Sequence, residues 1–206
     1  MGISSLPGEG QEPTLARRFP LIVADDGILF PGDRLVVALS GGVDSSVLLH
    51  LLRFSQGLPP FELLAAHFDH RMRQDSRNDL LWVKGLCQAW SVPLLTGEAS
   101  GRPESEEDAR DQRYTFLFAT KEREKASWIL TGHQADDQAE TVLFRVFRGT
   151  GLRGLAGIPR QRSPGVYRPL LEVSRPELLA YAGRMGVRFL EDSSNRSLAA
   201  ARNRIR

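Results

Sequence analysis

A short run of serine, glycine and aspartate residues directly follows an apolar segment, and its composition suits the binding of an anion. The apolar segment spans residues 35–39, the run spans residues 40–46 in the order Ser-Gly-Gly-Val-Asp-Ser-Ser, and a helical apolar pattern begins at Val47. Two glycines allow a sharp turn and a close approach of the backbone to a ligand. Free amide groups and the positive dipole end of the following helix attract negative charge. The run therefore predicts a strand–turn–helix unit that holds a phosphate-bearing ligand.

The same run differs from two common nucleotide-binding loops. It contains no Gly-Lys-Ser/Thr, which is the loop of enzymes that transfer a γ-phosphate, and it lacks the Gly-x-Gly-x-x-Gly spacing of dinucleotide-binding folds. Transfer of a γ-phosphate is therefore not the expected chemistry. The structural alternative is a turn of serines and glycines that Asp44 caps without any ligand.

Three carboxylates and a histidine are predicted to gather at the start of a helix within residues 133–147. Asp136 and Glu140 are one helical turn apart, and Asp137 is three residues from Glu140, so all three share one flank. The helix is predicted from apolar residues at helical spacing, namely Ala139, Val142, Leu143, Val146 and Phe147. His133 follows a predicted strand, at the edge where open α/β sheets bind ligands. The alternative is stabilisation of the helix start by acidic residues, which explains one or two of the three carboxylates.

Arginines supply nearly all of the positive charge and are unevenly distributed. Only 3 of the 27 basic residues are lysines. Arg110 and Arg113 share one face of a predicted helix, where surface ion pairs with Glu106 or Glu107 are the alternative to a role in a site. Residues 145–168 contain six arginines and no acidic residue. Four more follow near the end, at Arg196, Arg202, Arg204 and Arg206. Both segments are candidates for contact with phosphates, and solvated surface arginines are the alternative.

Alternating strand and helix patterns position these residues. Short apolar runs predict strands at residues 35–39, 63–67, 93–96 and 128–131. Helical patterns predict helices at residues 44–54, 75–90 and 104–125, and a fifth unit comprises a helix at 175–185 and an apolar segment at 187–190. This spacing is typical of βαβ crossovers, so the predicted class is α/β, a Rossmann-like parallel sheet with helices on both faces. Residues 1–14 are predicted to be a flexible tail and residues 15–206 one domain.

Composition is that of an ordinary globular protein. The chain has 206 residues, of which 41% are hydrophobic and 25% charged, and its net charge of +2 is too small to indicate a polyanionic partner. No stretch approaches the ~18 consecutive apolar residues of a membrane span, and no signal-peptide pattern begins the chain. The single cysteine, Cys87, lies in an apolar pattern, which indicates a buried structural thiol. We therefore expect a cytoplasmic protein without membrane contact.

The run at residues 40–46 is similar to the Ser-Gly-Gly-x-Asp-Ser loop of the PP-loop ATP pyrophosphatases, which cleave ATP between the α- and β-phosphates and adenylate a substrate. Seven further segments, in the same order, resemble the catalytic domain of the tRNA(Ile)-lysidine synthetases within that group. These segments are residues 67–73, 107–114, 131–141, 148–155, 168–171, 191–195 and 202–206. The resemblance covers residues from about 34 to 206.

This resemblance implies a PP-loop fold of the adenine nucleotide α-hydrolase type and a ligase activity. ATP would adenylate the C2 oxygen of the first anticodon cytidine in tRNA(Ile) with a CAU anticodon, and the ε-amine of free L-lysine would displace AMP. The implied ATP contacts are Ser40, Gly41, Gly42, Val43, Asp44, Ser45, Ser46, His67 and Asp69. The implied catalytic residues are Asp44, Arg113, His133, Asp137 and Glu140, with Mg²⁺ expected at Asp44 and Asp137. The implied RNA contacts are Arg148, Arg153, Arg202, Arg204 and Arg206.

Three other functions remain open from the sequence. A tRNA-thiolating enzyme of the same group is one, although a single cysteine is poor support for sulfur transfer. A small-molecule amide-forming synthetase would leave the arginine-rich segments without a purpose, and a nucleotide-binding module without catalysis is the third. The oligomeric state is also open, with a homodimer as one option. The C-terminal tRNA-binding parts that lysidine synthetases usually carry are expected to be absent.

Overall fold

The computed structural model describes residues 14–71, 76–99, 101, 103–149 and 155–190. The strands are β1 Arg34–Ala38, β2 Glu62–Asp69, β3 Leu94–Glu98, β4 Trp128–Leu130, β5 Gln161–Arg162 and β6 Val166–Tyr167. The helices given bounds within these ranges are α1 Thr14–Asp26, α2 Val43–Phe54, α3 Ser76–Ala89, α4 Glu106–Arg123, α5 Ala135–Phe147 and α6 Arg175–Met185. None of these helices is long and apolar enough to span a lipid bilayer.

The strands form one six-stranded sheet that is mostly parallel. Its order is β3-β2-β1-β4-β6-β5, and only the short β5–β6 pair is antiparallel. β1 therefore lies between β2 and β4, with Val37 opposite Ala65 on one side and Leu130 on the other. Parallel neighbours bring the carboxyl ends of their strands to one edge of the sheet. The segments that follow β1, β2, β4 and β6 consequently share that edge.

Side chains of the central strand alternate between two hydrophobic clusters. Leu35 and Val37 face a large cluster that includes residues of α1, α2, α3 and α6, whereas Val36 faces a smaller cluster with α4. All three are completely buried. This period of two is the geometry of a strand whose faces are both covered by helices. The predicted α/β class, with a parallel sheet and helices on both faces, is confirmed.

The four strands and the helices between them lie where the sequence predicts, within a few residues. The residues at 187–190 are not a strand; instead the Leu190 amide donates a 2.8 Å hydrogen bond to the Gly41 carbonyl oxygen. The apolar side of α5 has the predicted helical spacing but is not buried, since Leu143, Val146 and Phe147 are 43%, 48% and 76% exposed. Spacing reveals that a helix is amphipathic, but it does not reveal what covers the apolar side.

Helix α1 is an element that the sequence patterns did not predict. Its apolar residues join the larger cluster, where Phe19 is completely buried. Arg18 donates a 2.7 Å hydrogen bond to Glu177 Oε1 of α6, and the Tyr167 hydroxyl donates to Asp26 Oδ2 at 2.5 Å. Helix α1 is thus fixed both to α6 and to β6, two elements whose ends border the edge described above.

Truncation of Phe19 tests whether α1 is an integral part of the core. Phe19→Ala should lower the free energy of unfolding by about 3–5 kcal/mol, because it leaves a cavity in a packed cluster. Leu21→Ala on the same helix is the matched control; its side chain is 69% exposed, so its effect should stay within about 0.5 kcal/mol. Chemical denaturation of both variants measures the difference, and equal effects would contradict the packing of α1.

Candidate active site

The serine hydroxyls of the 40–46 loop hold the loop in shape through hydrogen bonds within it. Ser45 Oγ donates to the Gly42 carbonyl oxygen at 3.1 Å and lies 3.0 Å from Ser40 Oγ. Ser40 Oγ accepts a 3.3 Å hydrogen bond from the Gly42 amide, and the buried Ser46 hydroxyl donates to the Gly41 carbonyl oxygen at 3.3 Å. These contacts fix the turn that precedes α2. The start of α2 is therefore shaped before any ligand arrives.

Two glycines are required by close approaches at this turn. Gly41 has φ of +92°, and a Cβ placed on it would lie 2.8 Å from Leu190 Cδ1. Gly132, just after β4, has no room for a side chain, since its Cβ would lie 2.9 Å from the Asp44 carbonyl carbon and the Ser45 amide nitrogen. Both of those atoms belong to the backbone and cannot move aside like a side chain. The segment after β4 is thereby held directly against the first turn of α2.

A cavity of about 450 Å³ opens at this carboxyl edge. Its size lies within the range of small-molecule sites, roughly 300–1,000 Å³. The ends of β1, β2 and β4 and the sides of α4 and α5 contribute to its lining. Its polar lining includes Ser40, Asp44, His67, Arg113, His133 and Asp137. The structure thus brings together residues that are up to 97 positions apart, from Ser40 to Asp137.

The end of β2 forms a second wall of the cavity. His67 is buried, and its Nδ1 donates to the Leu39 carbonyl oxygen at 2.8 Å, which leaves Nε2 as the ring nitrogen able to accept. Asp69 also lines the cavity and accepts a 2.7 Å hydrogen bond from the Arg71 amide. Beside it, burial and the charge of Arg113 lower the pKa of His70. The end of β2 thus contributes two histidines and one carboxylate to the cavity lining.

His133 is surrounded by positive charge. Burial, and then the guanidinium groups of Arg168, Arg113 and Arg110, lower the pKa of His133 from its ordinary 6.5 to about 3. Its Nδ1 lies 2.8 Å from Thr131 Oγ1, which orients the ring. The imidazole is therefore neutral near pH 7, so it can donate one hydrogen bond and accept another without carrying a charge.

Two carboxylates face the same cavity, from the start of α2 and the start of α5. Asp44 Oδ2 lies 3.5 Å from Arg175 Nη1. Asp137 closes a capping box at α5: its Oδ2 accepts from the Gln134 amide at 3.1 Å, and Gln134 accepts in turn from an α5 amide. Capping, the alternative considered from sequence, is thus real, but Asp137 also lines the cavity. One residue therefore contributes to both structure and site.

Asp44 and Asp137 fit the ligand set of Mg²⁺. This ion is commonly held by one or two carboxylates together with the phosphates of a substrate. Within the described ranges, no cluster of three or more His, Cys, Asp or Glu side chains could hold a metal. If Asp44 and Asp137 held a magnesium ion, its further ligands would have to come from bound phosphate and water.

Other predicted site residues lie outside the cavity lining or outside the described residues. Gly41, Val43, Ser46 and Glu140 are not part of the lining; Val43 and Ser46 are buried beneath the loop. Arg148 lies at the end of α5, exposed, with its guanidinium carbon 4.2 Å from the centre of the Phe144 ring. The remaining predicted RNA contacts, Arg153, Arg202, Arg204 and Arg206, are outside the described residues.

The structure also adds residues that the sequence patterns did not single out. Tyr114 and Leu117 of α4 line the cavity, and Gly132 and Leu190 shape the 40–46 loop. Arg168, which directly follows β6, is 2% exposed. Because Leu117 follows Arg113 by four positions and Tyr114 by three, the helical spacing could have indicated that all three lie on one side of α4. Nothing local marked Leu190, because its role depends on a contact with residues about 150 positions earlier.

A glycine loop between a parallel strand and a helix, opening into a cavity at the carboxyl edge, defines a class of α/β proteins that bind phosphate groups. Comparison with protein families agrees with this class and identifies one family within it. A model of the PP-loop domain matches residues 11–206. The chain belongs to the PP-loop domain family.

Curated relatives are similar over most of this chain. The tRNA(Ile)-lysidine synthase of Thermotoga sp. (strain RQ2) is 40% identical over 187 residues, which cover 87% of this chain and 45% of that protein. The tRNA(Ile)-lysidine synthase of Nostoc sp. (strain PCC 7120) is 41% identical over 183 residues, which cover 86% of this chain and 54% of that protein. The chain spans about half the length of these relatives.

Solved structures share the fold at lower identity. The U34-tRNA thiolase NcsA from Methanococcus maripaludis, solved with its 4Fe-4S cluster, has a TM-score of 0.75 and 18% identity, covering 92% of this chain and 69% of that chain. The NMN synthetase from Francisella tularensis has a TM-score of 0.56 and 14% identity, covering 87% of this chain and 72% of that chain. Both likenesses concern the fold alone.

The contact at Gly132 leads to a prediction about nucleotide binding. Gly132→Ala should weaken ATP binding at least about tenfold, since the added Cβ displaces the backbone at the start of α2, where phosphate is expected. Gly85→Ala on α3 is the matched control, because a Cβ there meets nothing within 4 Å. Titration with a fluorescent ATP analogue measures both, and undiminished binding by the Gly132 variant would contradict the packing argument.

The charge around His133 leads to a prediction about pH. The folded pKa of about 3 lies below the ordinary 6.5, so His133 should stay neutral between pH 5 and 8. The unfolded chain takes up this proton as pH falls through about 6.5, so the folded state should lose stability from there toward pH 3. Histidine NMR spectra, assigned with His133→Gln, should show a flat His133 resonance above pH 5. A midpoint near 6.5 would contradict the buried, positive environment.

Proposed function

We propose that this chain is the ATP-dependent catalytic part of a tRNA(Ile)-lysidine synthase, a ligase that joins lysine to a cytidine of tRNA and releases AMP and pyrophosphate. The observation that carries the proposal is the cavity lined both by the 40–46 loop and by the carboxylate of Asp137, in a chain about 40% identical to such enzymes. The proposed substrates are ATP, tRNA(Ile) with a CAU anticodon and free L-lysine.

In the first step, the C2 oxygen of the cytidine attacks the α-phosphorus of ATP. The O–P bond forms, the bond between the α-phosphorus and the bridging oxygen breaks, and pyrophosphate leaves. The amide groups at the start of α2 lie where they would hold the phosphates. Arg113 would neutralise the charge that develops, and the neutral His133 would donate or accept a hydrogen bond without adding charge. Mg²⁺, when bound, would supply further neutralisation through Asp44 and Asp137.

In the second step, the ε-amine of lysine attacks C2 of the activated base. The new C–N bond forms, the C–O bond to AMP breaks, and the amine loses its extra protons. Lysine arrives as an ammonium ion, so a carboxylate is suited both to bind it and to accept a proton. We propose Asp137 for this position, with Glu140 one turn further along α5 as its neighbour.

We also propose that the arginine-rich segments contact the tRNA backbone. Arg148 supports this because it is exposed at the end of α5 and has a side chain held over an aromatic ring. The remaining candidates are Arg153, Arg202, Arg204 and Arg206. Arginine forms bidentate hydrogen bonds with phosphate, which suits such contacts.

Cys87 weighs against the tRNA-thiolating alternative, even though a tRNA thiolase is similar in fold. It is the single cysteine of the sequence and lies in the core, 2% exposed. Burial raises the pKa of the Cys87 thiol to about 11. A thiol that is buried and protonated cannot act as a sulfur carrier or cluster ligand without rearrangement of the core.

The direct test is AMP release by the purified chain from radiolabelled ATP. We expect AMP only when tRNA carrying the CAU anticodon and L-lysine are both present. AMP formation with a small molecule and no RNA would favour an amide-forming synthetase. Binding of ATP with no AMP under any condition would favour a module without catalysis.

Asp137→Asn separates the catalytic role from the capping role. Asparagine keeps an oxygen that accepts from the Gln134 amide, so stability should fall by no more than about 1 kcal/mol. Loss of the charge should lower the rate of AMP formation roughly 100-fold or more. Asp136→Asn is the matched control, since Asp136 lies in the same helical turn but does not line the cavity. A variant that melts earlier yet turns over normally would reduce Asp137 to a cap.

A further inference from the structure

Three guanidinium groups converge on one aromatic ring at the rim of the cavity. The guanidinium carbons of Arg110 and Arg113 both lie 5.7 Å from the centre of the Tyr114 ring, and that of Arg162 lies 5.4 Å from it. We call these four residues the Tyr114 patch. The Tyr114 ring is 6% exposed, whereas Arg110 and Arg162 are exposed to solvent. The patch thus has a buried base and an exposed outer edge.

The fold, not local sequence, brings these residues together. Arg110 and Arg113 precede Tyr114 on α4 by four and one positions. Arg162 comes from β5, where it is paired with Val166 of β6. Val166 and Tyr114 belong to the same hydrophobic cluster, so packing of the β5–β6 hairpin against α4 sets the position of Arg162.

The positive charge of the patch is not neutralised within the described part of the chain. None of the ion pairs there includes Arg110, Arg113 or Arg162. The surface pairs with Glu106 or Glu107, considered from sequence, do not form there. The aromatic face gives each cation only modest stabilisation. Like charges this close repel one another, and a bound anion would relieve that repulsion.

The patch is separated from the loop that is expected to hold ATP. The loop follows β1, whereas Arg162 lies on β5, three strands further along the sheet. Three spacings between strands amount to about 14 Å. Arg113 and Tyr114 line the cavity, but Arg110 and Arg162 do not. Only a ligand that reaches beyond the cavity would therefore contact the outer arginines.

We propose that the Tyr114 patch binds the phosphate backbone of the substrate RNA beside the nucleotide whose base enters the cavity. This inference rests on the proposed function and names a surface for its RNA substrate. A single-stranded loop can place one unstacked base in a pocket while its backbone stays outside. Arginine forks match phosphate geometry, and backbone contacts of this kind set the register of the nucleic acid. ATP, by contrast, ends inside the cavity.

The test uses the double variant Arg110→Gln/Arg162→Gln and a labelled RNA hairpin whose loop carries CAU. Fluorescence anisotropy is measured across a series of salt concentrations. RNA binding should weaken about tenfold or more at low salt, and the log–log slope against salt should flatten by about 0.7 to 0.9 for each lost contact. Affinity for a fluorescent ATP analogue, measured without RNA, should remain within about twofold of wild type, since neither residue lines the cavity.

A second double variant, Arg53→Gln/Arg184→Gln, is the matched control. It removes the same charge from exposed positions, and Arg53 also lies over an aromatic ring, 5.3 Å from the centre of Phe54. These arginines are in the last turns of α2 and α6. Helix α2 is about 18 Å long, so Arg53 lies at the end of the helix that is remote from the 40–46 loop. RNA binding and its salt slope should match wild type. Arg110→Lys/Arg162→Lys, which keeps the charge, should retain most of the slope.

Each remaining outcome would overturn the proposal. Three of these outcomes are an unchanged salt slope for the patch variant, equal weakening of RNA binding by both double variants, and a parallel loss of ATP affinity. The fourth is displacement of the labelled RNA from wild type by polyglutamate as effectively as by unlabelled RNA, which would show that any polyanion binds the patch. An unchanged melting temperature shows that the variants are folded. If the glutamine variant is not folded, RNA affinity and the salt slope are compared between wild type and the lysine variant instead. AMP formation by wild type is measured in parallel. If it fails, the proposed function is wrong; if it succeeds while the patch variant binds RNA normally, only the patch is wrong.

Discussion

The backbone contact between Gly132 and the first turn of α2 is the constraint on which the site depends. Adjacent parallel strands put the ends of β1 and β4 side by side, and a residue without a side chain lets the two following segments touch. Asp44 and Asp137 face one cavity as a result, although they are far apart in sequence. A larger residue at 132 would separate the 40–46 loop from the segment that carries His133. The geometry of the cavity therefore follows from strand order and from this one close approach.

Positive charge is concentrated around His133. Arg113, Arg168 and Arg110 make the surroundings of His133 positive, and they keep its ring uncharged. Carboxylates lie at the starts of α2 and α5 instead. Opposite charges also meet at the cavity, since Asp44 Oδ2 lies 3.5 Å from Arg175 Nη1. The lining therefore presents groups of both charges to a ligand.

Sequence patterns predict the parts of the site that belong to one element, and they fail where distant elements meet. The turn at 40–46 and the strands β1 to β4 are local and agree with the structure, whereas of the three carboxylates expected together on α5 only Asp137 lines the cavity. Leu190 ends the apolar segment predicted at 187–190, and nothing in that segment indicated the hydrogen bond of its amide to the Gly41 carbonyl oxygen. The apolar residues of α5 predicted an amphipathic helix correctly, but Phe147 is exposed. Arg162 joins Tyr114 only through a hairpin of two-residue strands, too short to leave a pattern.

Arg168 is a buried charged residue, and burial of its guanidinium lowers the stability of the fold. Its guanidinium is buried, Nη1 donates to the Pro159 carbonyl oxygen at 2.6 Å, and Nε has no hydrogen-bond partner among the described residues. A buried charge without a carboxylate partner is costly by several kcal/mol. Neighbouring contacts hold the segment in place: Arg160 bonds to Asp26 and Glu172, and Tyr167 bonds to Asp26 as well. The contacts with Asp26 fasten β6 and the residues before it to the end of α1. Stability supplied at α1 keeps a positive charge behind His133, where a neutral and better packed residue would leave the histidine easier to protonate.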